Sequence, residues 1–412
     1  MEYNFDEIID RTDTSSMKWE KYQGRDIIPM GLADMDFKVP QPVLDTIRKR
    51  IEHGILGYTL IPEGLNEIVI ENLYALYKWE IEKEWLIWTP GVVSALNVAC
   101  AVCGSSFDKI VTTTPVYPPF FSAPSNHGKL LATVPMIEIN QRVTLDYHAL
   151  EKEFKKSNTS LFMFCSPYNP CGTVFTEDEI AKLVELCAKY DVVICSDEIH
   201  SDFVLDKDKH HIPTASISKT AEKQTITLMA PSKTYNIPGL GSSFTIIPDK
   251  NLRDKFKSRV NGIVPDVNLL GLFAARTAYK ECSEWLAQLI IYLRKNRDIV
   301  QTCINKMPGI HVNPIESTYL AWIDVRGTGL SDPVDFFEQA GVGLSDGRSF
   351  GQEGFIRLNF GCPRSVLGKG LNRMEAQIRL LIKNKRLKVS IVLYCCSILE
   401  TAFLIRNSFF TV

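Results

Sequence analysis

Beyond Trp79, short apolar runs alternate with amphipathic stretches along the chain. Apolar runs of four or five residues without alternation are typical of strands that are buried on both faces, and apolar residues spaced three or four apart indicate helices. We predict strands over 109–113, 161–165, 192–195 and 225–229, and helices over 92–103, 146–155 and 176–190. Strands that alternate with helices predict a doubly wound α/β domain with a mostly parallel sheet.

The pattern changes near residue 285. One long helix is predicted over 284–307, followed by strands over 318–325 and 354–360 that are typical of a smaller α+β unit. The N-terminal residues are irregular and interrupted by prolines, so we expect them to pack on this smaller unit. We therefore predict three parts of the chain: a large domain over 48–287, a small domain made of 1–47 together with 288–385, and an atypical C-terminal tail over 386–412.

Composition narrows the class of protein. The chain has 412 residues, of which 45% are hydrophobic, and its formal net charge is −2. A chain of this length buries a sufficient core without disulfides or a structural metal. The near-zero net charge excludes the broad basic surface of a general nucleic-acid binder, and the apolar content excludes a mainly disordered protein. We expect a globular enzyme with no nucleic-acid partner.

The termini and the cysteines indicate where in the cell the protein is located. The N-terminus is acidic and lacks the apolar region of a secretory signal, and most of the 11 cysteines lie inside apolar runs, which favours reduced thiols in the cytoplasm. Cys100 and Cys103 lie in a helical pattern with no second pair nearby, so we predict no metal site. The apolar stretch 389–399 is too short for a membrane span and is followed by Glu400. A packing segment or a non-native C-terminus is favoured there over a membrane anchor.

Three polar residues directly follow predicted strands. Asn169 lies in a proline-rich turn after 161–165, Asp197 comes just after 192–195, and Lys233 comes just after 225–229. In open α/β sheets, ligands bind beyond the carboxyl ends of the strands, so we expect these side chains to converge. Taken singly, the first two are also explained as a turn cap and a helix N-cap. A buried lysine, however, has a lowered pKa and acts as a nucleophile.

An amide, a carboxylate and a lysine at neighbouring strand ends suit pyridoxal phosphate. The lysine forms a Schiff base with the cofactor, the carboxylate keeps the ring nitrogen protonated, and the amide donates to the ring oxygen. The Pro90–Gly91 turn opens a predicted helix whose first N–H groups suit a phosphate, although an ordinary helix start has the same pattern. Tyr117, in a turn after a strand, either stacks on the cofactor ring or packs on the core.

Several stretches together carry a family resemblance. They are 32–37, 57–59, 90–93, 115–120, 196–200, 231–236, 318–322 and 357–364. On these residues, the chain from about Phe5 to Ile382 resembles the fold-type I pyridoxal-phosphate enzymes of the aminotransferase class I/II superfamily. Within them it is similar to the MalY/PatB group of cystathionine β-lyases, or carbon–sulfur lyases. The Ser-Asp-Glu-Ile-His stretch at 196–200 and the Arg-Leu-Asn-Phe stretch at 357–360 resemble this group rather than aminotransferases at large.

The resemblance implies a role for each site residue. The implied cofactor contacts are Lys233 as the covalent attachment, Asp197 at the ring nitrogen, Asn169 and His200 at the ring oxygen, Tyr117 over the ring, and Ser232 with the Val92 and Val93 amides at the phosphate. Tyr58 is implied to reach the active site of the neighbouring subunit, so that a homodimer shares its active sites. Arg357 is implied to hold the substrate carboxylate; it alternates with apolar residues on a predicted strand, and its planar fork suits that group, whereas an edge-strand surface arginine is the alternative.

The resemblance also implies the reaction. It is β-elimination on cysteine S-conjugates such as L-cystathionine, which gives a thiol (homocysteine), pyruvate and ammonia. An aminotransferase that uses the same cofactor with a 2-oxo acid is the alternative, and a regulator that binds another protein through the same fold is a third reading. Relatives usually have Asn-Pro-His-Asn-Pro where this chain has Ser-Pro-Tyr-Asn-Pro at 166–170. We therefore expect Tyr168 to change the wall of the pocket without abolishing the chemistry.

Overall fold

The computed structural model describes residues 3–156 and 158–384. The predicted tail over 386–412 lies outside the described residues. The strands are β1 (Ile28–Pro29), β2 (Leu86–Thr89), β3 (Lys109–Thr114), β4 (Leu130–Pro135), β5 (Ile137–Ile139), β6 (Arg142–Thr144), β7 (Thr159–Cys165), β8 (Val193–Asp197), β9 (Thr225–Met229), β10 (Ser243–Ile246), β11 (His311–Val312), β12 (Leu320–Asp324), β13 (Val342–Gly343), β14 (Ser345–Asp346) and β15 (Phe355–Asn359).

Helices surround these strands. They are α1 (Met17–Glu20), α2 (Gln41–Glu52), α3 (Leu65–Tyr77), α4 (Val92–Val102), α5 (Pro119–Ser125), α6 (Tyr147–Phe154), α7 (Glu177–Lys189), α8 (Lys219–Gln224), α9 (Pro231–Thr234), α10 (Lys250–Val260), α11 (Leu269–Glu281), α12 (Ser283–Ile304), α13 (Pro333–Gln339) and α14 (364–384). None of them, within the described ranges, is long and apolar enough to cross a membrane.

Seven strands form the central sheet, in the order β2-β10-β9-β8-β7-β3-β4. The strands β9, β8, β7, β3 and β4 are parallel, and β10 runs antiparallel to both of its neighbours. The predicted α/β class with a mostly parallel sheet is confirmed. Strands such as β9, buried at every residue, explain why the sequence shows continuous apolar runs here rather than alternation.

Local signals set the ends of the helices that cover this sheet. The helix α7 begins with a capping box in which the Thr176 hydroxyl and the Glu179 side chain each bond to the other residue's backbone N–H. Its buried side chains are Ile180, Leu183, Val184 and Cys187. Because these residues recur three or four positions apart, the helix has one apolar face toward the sheet.

A second, four-stranded antiparallel sheet has the order β11-β12-β15-β14. The N-terminal strand β1 pairs in parallel with β13, and one apolar core joins N-terminal side chains such as Phe5 and Ile28 to side chains from 310–378. A separate core lies against the central sheet. The domain bounds given above, 48–287 for the large unit and 1–47 with 288–385 for the small one, stay predictions.

Candidate active site

A cleft of about 910 Å³ lies at the carboxyl ends of β7, β8 and β9. Nine of the ten residues singled out from the sequence line it: Val92, Val93, Tyr117, Asn169, Asp197, His200, Ser232, Lys233 and Arg357. Parallel strands end at the same edge of a sheet, so side chains that are far apart in the sequence meet there. The tenth residue, Tyr58, is fully exposed in this single chain and does not line the cleft.

Asp197 is the last residue of β8 and is almost fully buried. The backbone N–H of Ile199 donates to its Oδ1 at 3.2 Å. Burial raises the pKa of the Asp197 carboxyl to about 7, since one backbone donor does not offset the loss of solvent around the charge. A cation placed against this carboxylate would stabilise its charged form and lower its pKa again. The side chain therefore fits the protonated ring nitrogen of pyridoxal phosphate.

Lys233 lies in the short helix α9, four residues after the end of β9. Its Nζ donates to the carbonyl oxygen of Ala33 at 2.7 Å. Burial lowers the pKa of the Lys233 amine to about 8, and the nearby positive charge of Arg357 acts in the same direction, while Asp34 and Asp197 oppose it. A substantial fraction of this amine is neutral near pH 8, as a nucleophile or a base requires.

Arg357, on β15, is buried without a carboxylate partner among the described residues. Its Nη1 donates to Asn169 Oδ1 at 3.1 Å, its Nη2 donates to the Gly31 carbonyl at 3.0 Å, and its Nε has no hydrogen-bond partner within 3–156 and 158–384. A buried guanidinium that lacks a counter-ion is a site for an anion. The bond to Arg357 also orients Asn169, with its Oδ1 occupied and its amide N–H₂ left as a donor.

The first turn of α4 also lines the cleft. The backbone N–H groups at the start of an α-helix have no partner within the helix, and the helix dipole favours a negative charge there. Val92 and Val93 supply such groups, and Ser232 lies against the same cleft with its hydroxyl. Together these donors suit a phosphate group.

His200 and Tyr117 complete the wall of the cleft. Burial lowers the pKa of His200 to about 3, so the ring is neutral at physiological pH. Its Nδ1 is buried and has no hydrogen-bond partner among the residues that the structure describes. Burial raises the pKa of the half-buried Tyr117, which keeps its hydroxyl protonated. Both side chains can therefore meet a cofactor ring as uncharged groups.

Tyr168 is placed differently from the sequence-based expectation. It does not line the cleft; it is fully buried in the core beneath, with its ring edge-on to Phe175. The hydroxyls of Tyr168 and Thr113 share a hydrogen bond at 2.7 Å. This polar partner on β3 explains why a tyrosine hydroxyl is tolerated inside the core. The prediction that Tyr168 changes the pocket wall is wrong.

The segment 31–37 also borders the site, and sequence reasoning assigned it no role. Asn236 holds it by accepting from the Met35 N–H at 3.0 Å and donating to the carbonyls of Met35 and Phe37. Asn359 donates to the carbonyls of Leu32 and Asp34. Both asparagines lie in stretches that carry the family resemblance, but no local pattern shows that they reach the N-terminal segment.

The aminotransferase class I and II family model matches residues 25–374. The chain belongs to this family. It is 34% identical to cystathionine β-lyase PatB of Bacillus subtilis, over 91% of this chain and all of that one. The crystal structure of OvoB is 41% identical with a TM-score of 0.89, covering 91% of this chain and 99% of the other.

A pyridoxal-phosphate-bound protein from Clostridium difficile, described as a putative aminotransferase, is 40% identical with a TM-score of 0.88 and covers 92% of this chain and all of its own. The family and the cofactor class expected from the sequence are thus confirmed. The residues of this cleft fit that cofactor: a buried carboxylate with no ion pair among the described residues, a lysine with a lowered pKa and a helix N-terminus face one space. The role of each residue stays a prediction.

Proposed function

We propose that this protein is a pyridoxal-phosphate-dependent carbon–sulfur lyase that acts on cysteine S-conjugates such as L-cystathionine. The reaction takes up one water molecule and gives a thiol, here homocysteine, together with pyruvate and ammonia. The observation that carries the proposal is the buried Arg357, which has no carboxylate partner in the described part of the chain and lies in one cleft with Lys233, Asp197 and Asn169. The similarity to PatB along nearly the whole chain supports it.

The cleft residues that the sequence predicted divide among the parts of the cofactor. Asp197 would face the ring nitrogen, Asn169 and His200 the ring oxygen, and Tyr117 the ring itself. The Val92 and Val93 amides, with Ser232, would bind the phosphate at the start of α4. When bound, pyridoxal phosphate supplies an electron-withdrawing ring that makes the Cα proton of an attached amino acid acidic.

The chain's own groups handle the substrate. Arg357 would bind the α-carboxylate with its two forked nitrogens, which fixes the orientation of Cα over Lys233. Lys233, with its amine neutral, would take the Cα proton on Nζ. The bond from Cβ to sulfur then breaks, and the sulfur leaves as a thiolate with the electron pair. A thiolate is a good leaving group, which favours elimination over return of the proton to another carbon.

The charges that line the cleft do not favour a short dicarboxylic amino acid such as aspartate. Arg11 lines the cleft, but its guanidinium is already paired with Asp34 and Asp36, each at 2.7 Å. Of the arginines that line the cleft, Arg357 alone is thus left to bind a substrate carboxylate. A transaminase for aspartate-like substrates needs a second arginine for the distal carboxylate.

An aminotransferase is the second candidate, because the Clostridium difficile neighbour is described as a putative one. The two functions differ in one requirement. A lyase forms pyruvate and a thiol from L-cystathionine alone, whereas an aminotransferase forms product only when a 2-oxo acid accepts the amino group. A pyruvate assay without added 2-oxo acid therefore tests the proposal.

We also propose a cytoplasmic location, where thiols are kept reduced. The described cysteines are free, and several are buried in apolar surroundings that raise their pKa, as for Cys103 with a pKa of about 12.

The exposed segment 54–61 supports a homodimer. Its side chains Ile55, Leu56, Tyr58 and Leu60 are apolar or aromatic and all strongly exposed. Contiguous apolar surface of this kind marks an interaction site. We propose a second copy of the chain as the partner, with two equivalent contacts, such that Tyr58 completes the phosphate site of the neighbour.

We expect Tyr58→Phe to weaken cofactor retention by about tenfold, because one hydrogen bond to a charged phosphate is lost. Retention is measured as the cofactor absorbance left after dialysis, and Tyr74→Phe, another exposed tyrosine, is the control. Sedimentation at assay concentration should show a dimer. A fully active monomer would contradict the shared site.

A further inference from the structure

The segment 32–36 lines the cleft beside Lys233, and the proposed chemistry leaves it without a role. The carbonyl oxygen of Ala33 accepts two hydrogen bonds: one from Lys233 Nζ at 2.7 Å and one from the Tyr319 hydroxyl at 3.1 Å. A carbonyl oxygen has two lone pairs, so both donors are satisfied at once. The amine of Lys233 is thus hydrogen-bonded to a backbone oxygen of a residue 200 positions away in the sequence.

This backbone atom is held in place from both sides. Asn359 Nδ2 donates to the carbonyl of Leu32 at 2.6 Å and to that of Asp34 at 2.7 Å. Asn236 accepts from the N–H of Met35 and donates to its carbonyl, each at 3.0 Å. Ala33 lies between these anchored positions, so its carbonyl is directed at Lys233 by the fold rather than by Lys233 itself.

Asp34 supplies a negative charge at the same place. Its Oδ2 pairs with Arg11 Nη2 at 2.7 Å, while its Oδ1 is buried and has no hydrogen-bond partner in the described part of the chain. A buried carboxylate oxygen that lacks a donor is costly, and its charge acts on the cations around it. Lys233 is one of these cations, and Asp34 stabilises its protonated form.

We propose that the segment 32–36 holds the Lys233 amine whenever that amine is not bonded to the cofactor, with the Ala33 carbonyl as its acceptor and Asp34 as the facing charge. Asp34 is then a positioning residue that sets how readily Lys233 takes and gives up the Cα proton. The inference rests on the proposed function, since only a lysine that leaves the cofactor to act as a base needs such a place.

The other charged and titratable groups around Lys233 come from separate elements: Arg357 from β15, Asp197 from β8, the neutral His200 that follows β8, and Tyr319 just before β12. During turnover the substrate carboxylate would pair with Arg357, and the ring nitrogen would face Asp197. Asp34 then remains as the carboxylate that balances the charge of Lys233. Removal of the Asp34 charge should make the Lys233 amine lose a proton at lower pH.

The test compares Asp34→Asn with the matched control Asp36→Asn in the cofactor-loaded enzyme. Asp36 bonds to the same Arg11 and to the buried Lys18, so both of its carboxylate oxygens are paired with cations other than Lys233. The acidic limb of the kcat–pH profile should move to lower pH by about one unit in Asp34→Asn, because a base with a lower pKa is neutral at lower pH. It should stay in place in Asp36→Asn.

A second readout does not depend on turnover. The full chain is stripped of cofactor, and the rate at which it rebinds pyridoxal phosphate is followed by absorbance against pH, since the neutral Lys233 amine is the reacting form. The pH midpoint of the rebinding rate should shift to lower pH in Asp34→Asn and stay in place in Asp36→Asn. If the wild type rebinds the cofactor but releases no thiol from any S-conjugate, the proposed function fails, and this midpoint still decides the inference.

An unmoved midpoint in Asp34→Asn, or an equal shift in Asp36→Asn, overturns the inference. Arg11→Gln provides an independent variant if Asp34→Asn does not fold. Without Arg11 the charge of Asp34 is no longer neutralised. The pH midpoints of the kcat profile and of cofactor rebinding should then both rise instead of fall. Midpoints that do not rise in a folded Arg11→Gln protein would also overturn it.

Discussion

Replacing Lys233 with alanine should abolish the covalent attachment of the cofactor and lower turnover by about a thousandfold or more. Of the two described lysines that line the cleft, Lys233 is the one that follows a strand of the central sheet, and its pKa of about 8 makes its amine available as nucleophile and base. Borohydride reduction of the wild-type protein, followed by mass analysis of its peptides, should find the cofactor fixed on the peptide that contains Lys233.

Lys38→Ala is the matched control for this experiment. Lys38 also lines the cleft, but it is exposed and pairs with Glu7 at 2.5 Å. The Lys38→Ala protein should keep the borohydride-fixed cofactor and near-normal turnover. If the Lys233→Ala protein still carries a reducible bond to the cofactor in the same cleft, the assignment of Lys233 is wrong.

Replacing Asp197 with alanine should lower turnover by about a hundredfold or more, even at saturating cofactor. The carboxylate is buried with a single backbone donor, so its charge is free to hold a proton on the ring nitrogen. Without it, the ring withdraws electrons less strongly, and the Cα proton is harder to remove. Turnover is measured as pyruvate formed from L-cystathionine, with cofactor content checked by absorbance.

A further variant at this position separates the effect of the charge from that of packing, and a variant at a second carboxylate serves as the control. Asp197→Asn keeps the size of the side chain and removes the charge, so it should lose nearly as much turnover as the alanine variant. Asp202→Asn changes another carboxylate five residues further on, which accepts from the Thr234 hydroxyl and does not line the cleft. It should keep most of its turnover. Near-normal turnover in Asp197→Asn would refute the proposed role.

The positions of Asn169, Asp197 and Lys233 could be predicted from the sequence because each follows a continuous apolar run. Such runs form strands buried on both faces, and parallel strands bring their carboxyl ends to one edge whatever the details of the loops. The strand ends were therefore enough to place three residues in one cleft. The strand β9 was predicted with the bounds that the structure has, 225–229.

The contacts of the segment 31–37 could not be predicted in this way. The bond from Lys233 to Ala33 joins residues 200 positions apart, and it depends on how the N-terminal segment lies over the cleft. Tyr168 was misplaced for a related reason: the direction of a side chain within a tight turn depends on a partner, here Thr113 on another strand. The edge strand β2 and its neighbour β10 were not predicted because their four-residue runs mix apolar residues with threonine or serine.

Incubation of the purified, cofactor-loaded protein with L-cystathionine, in the absence of any 2-oxo acid, distinguishes a carbon–sulfur lyase from an aminotransferase. Pyruvate is followed through a coupled assay and the free thiol with a thiol reagent in the same sample. We expect pyruvate and homocysteine to appear together in equal amounts. Product that forms only when a 2-oxo acid is supplied, with no thiol released, would contradict this expectation.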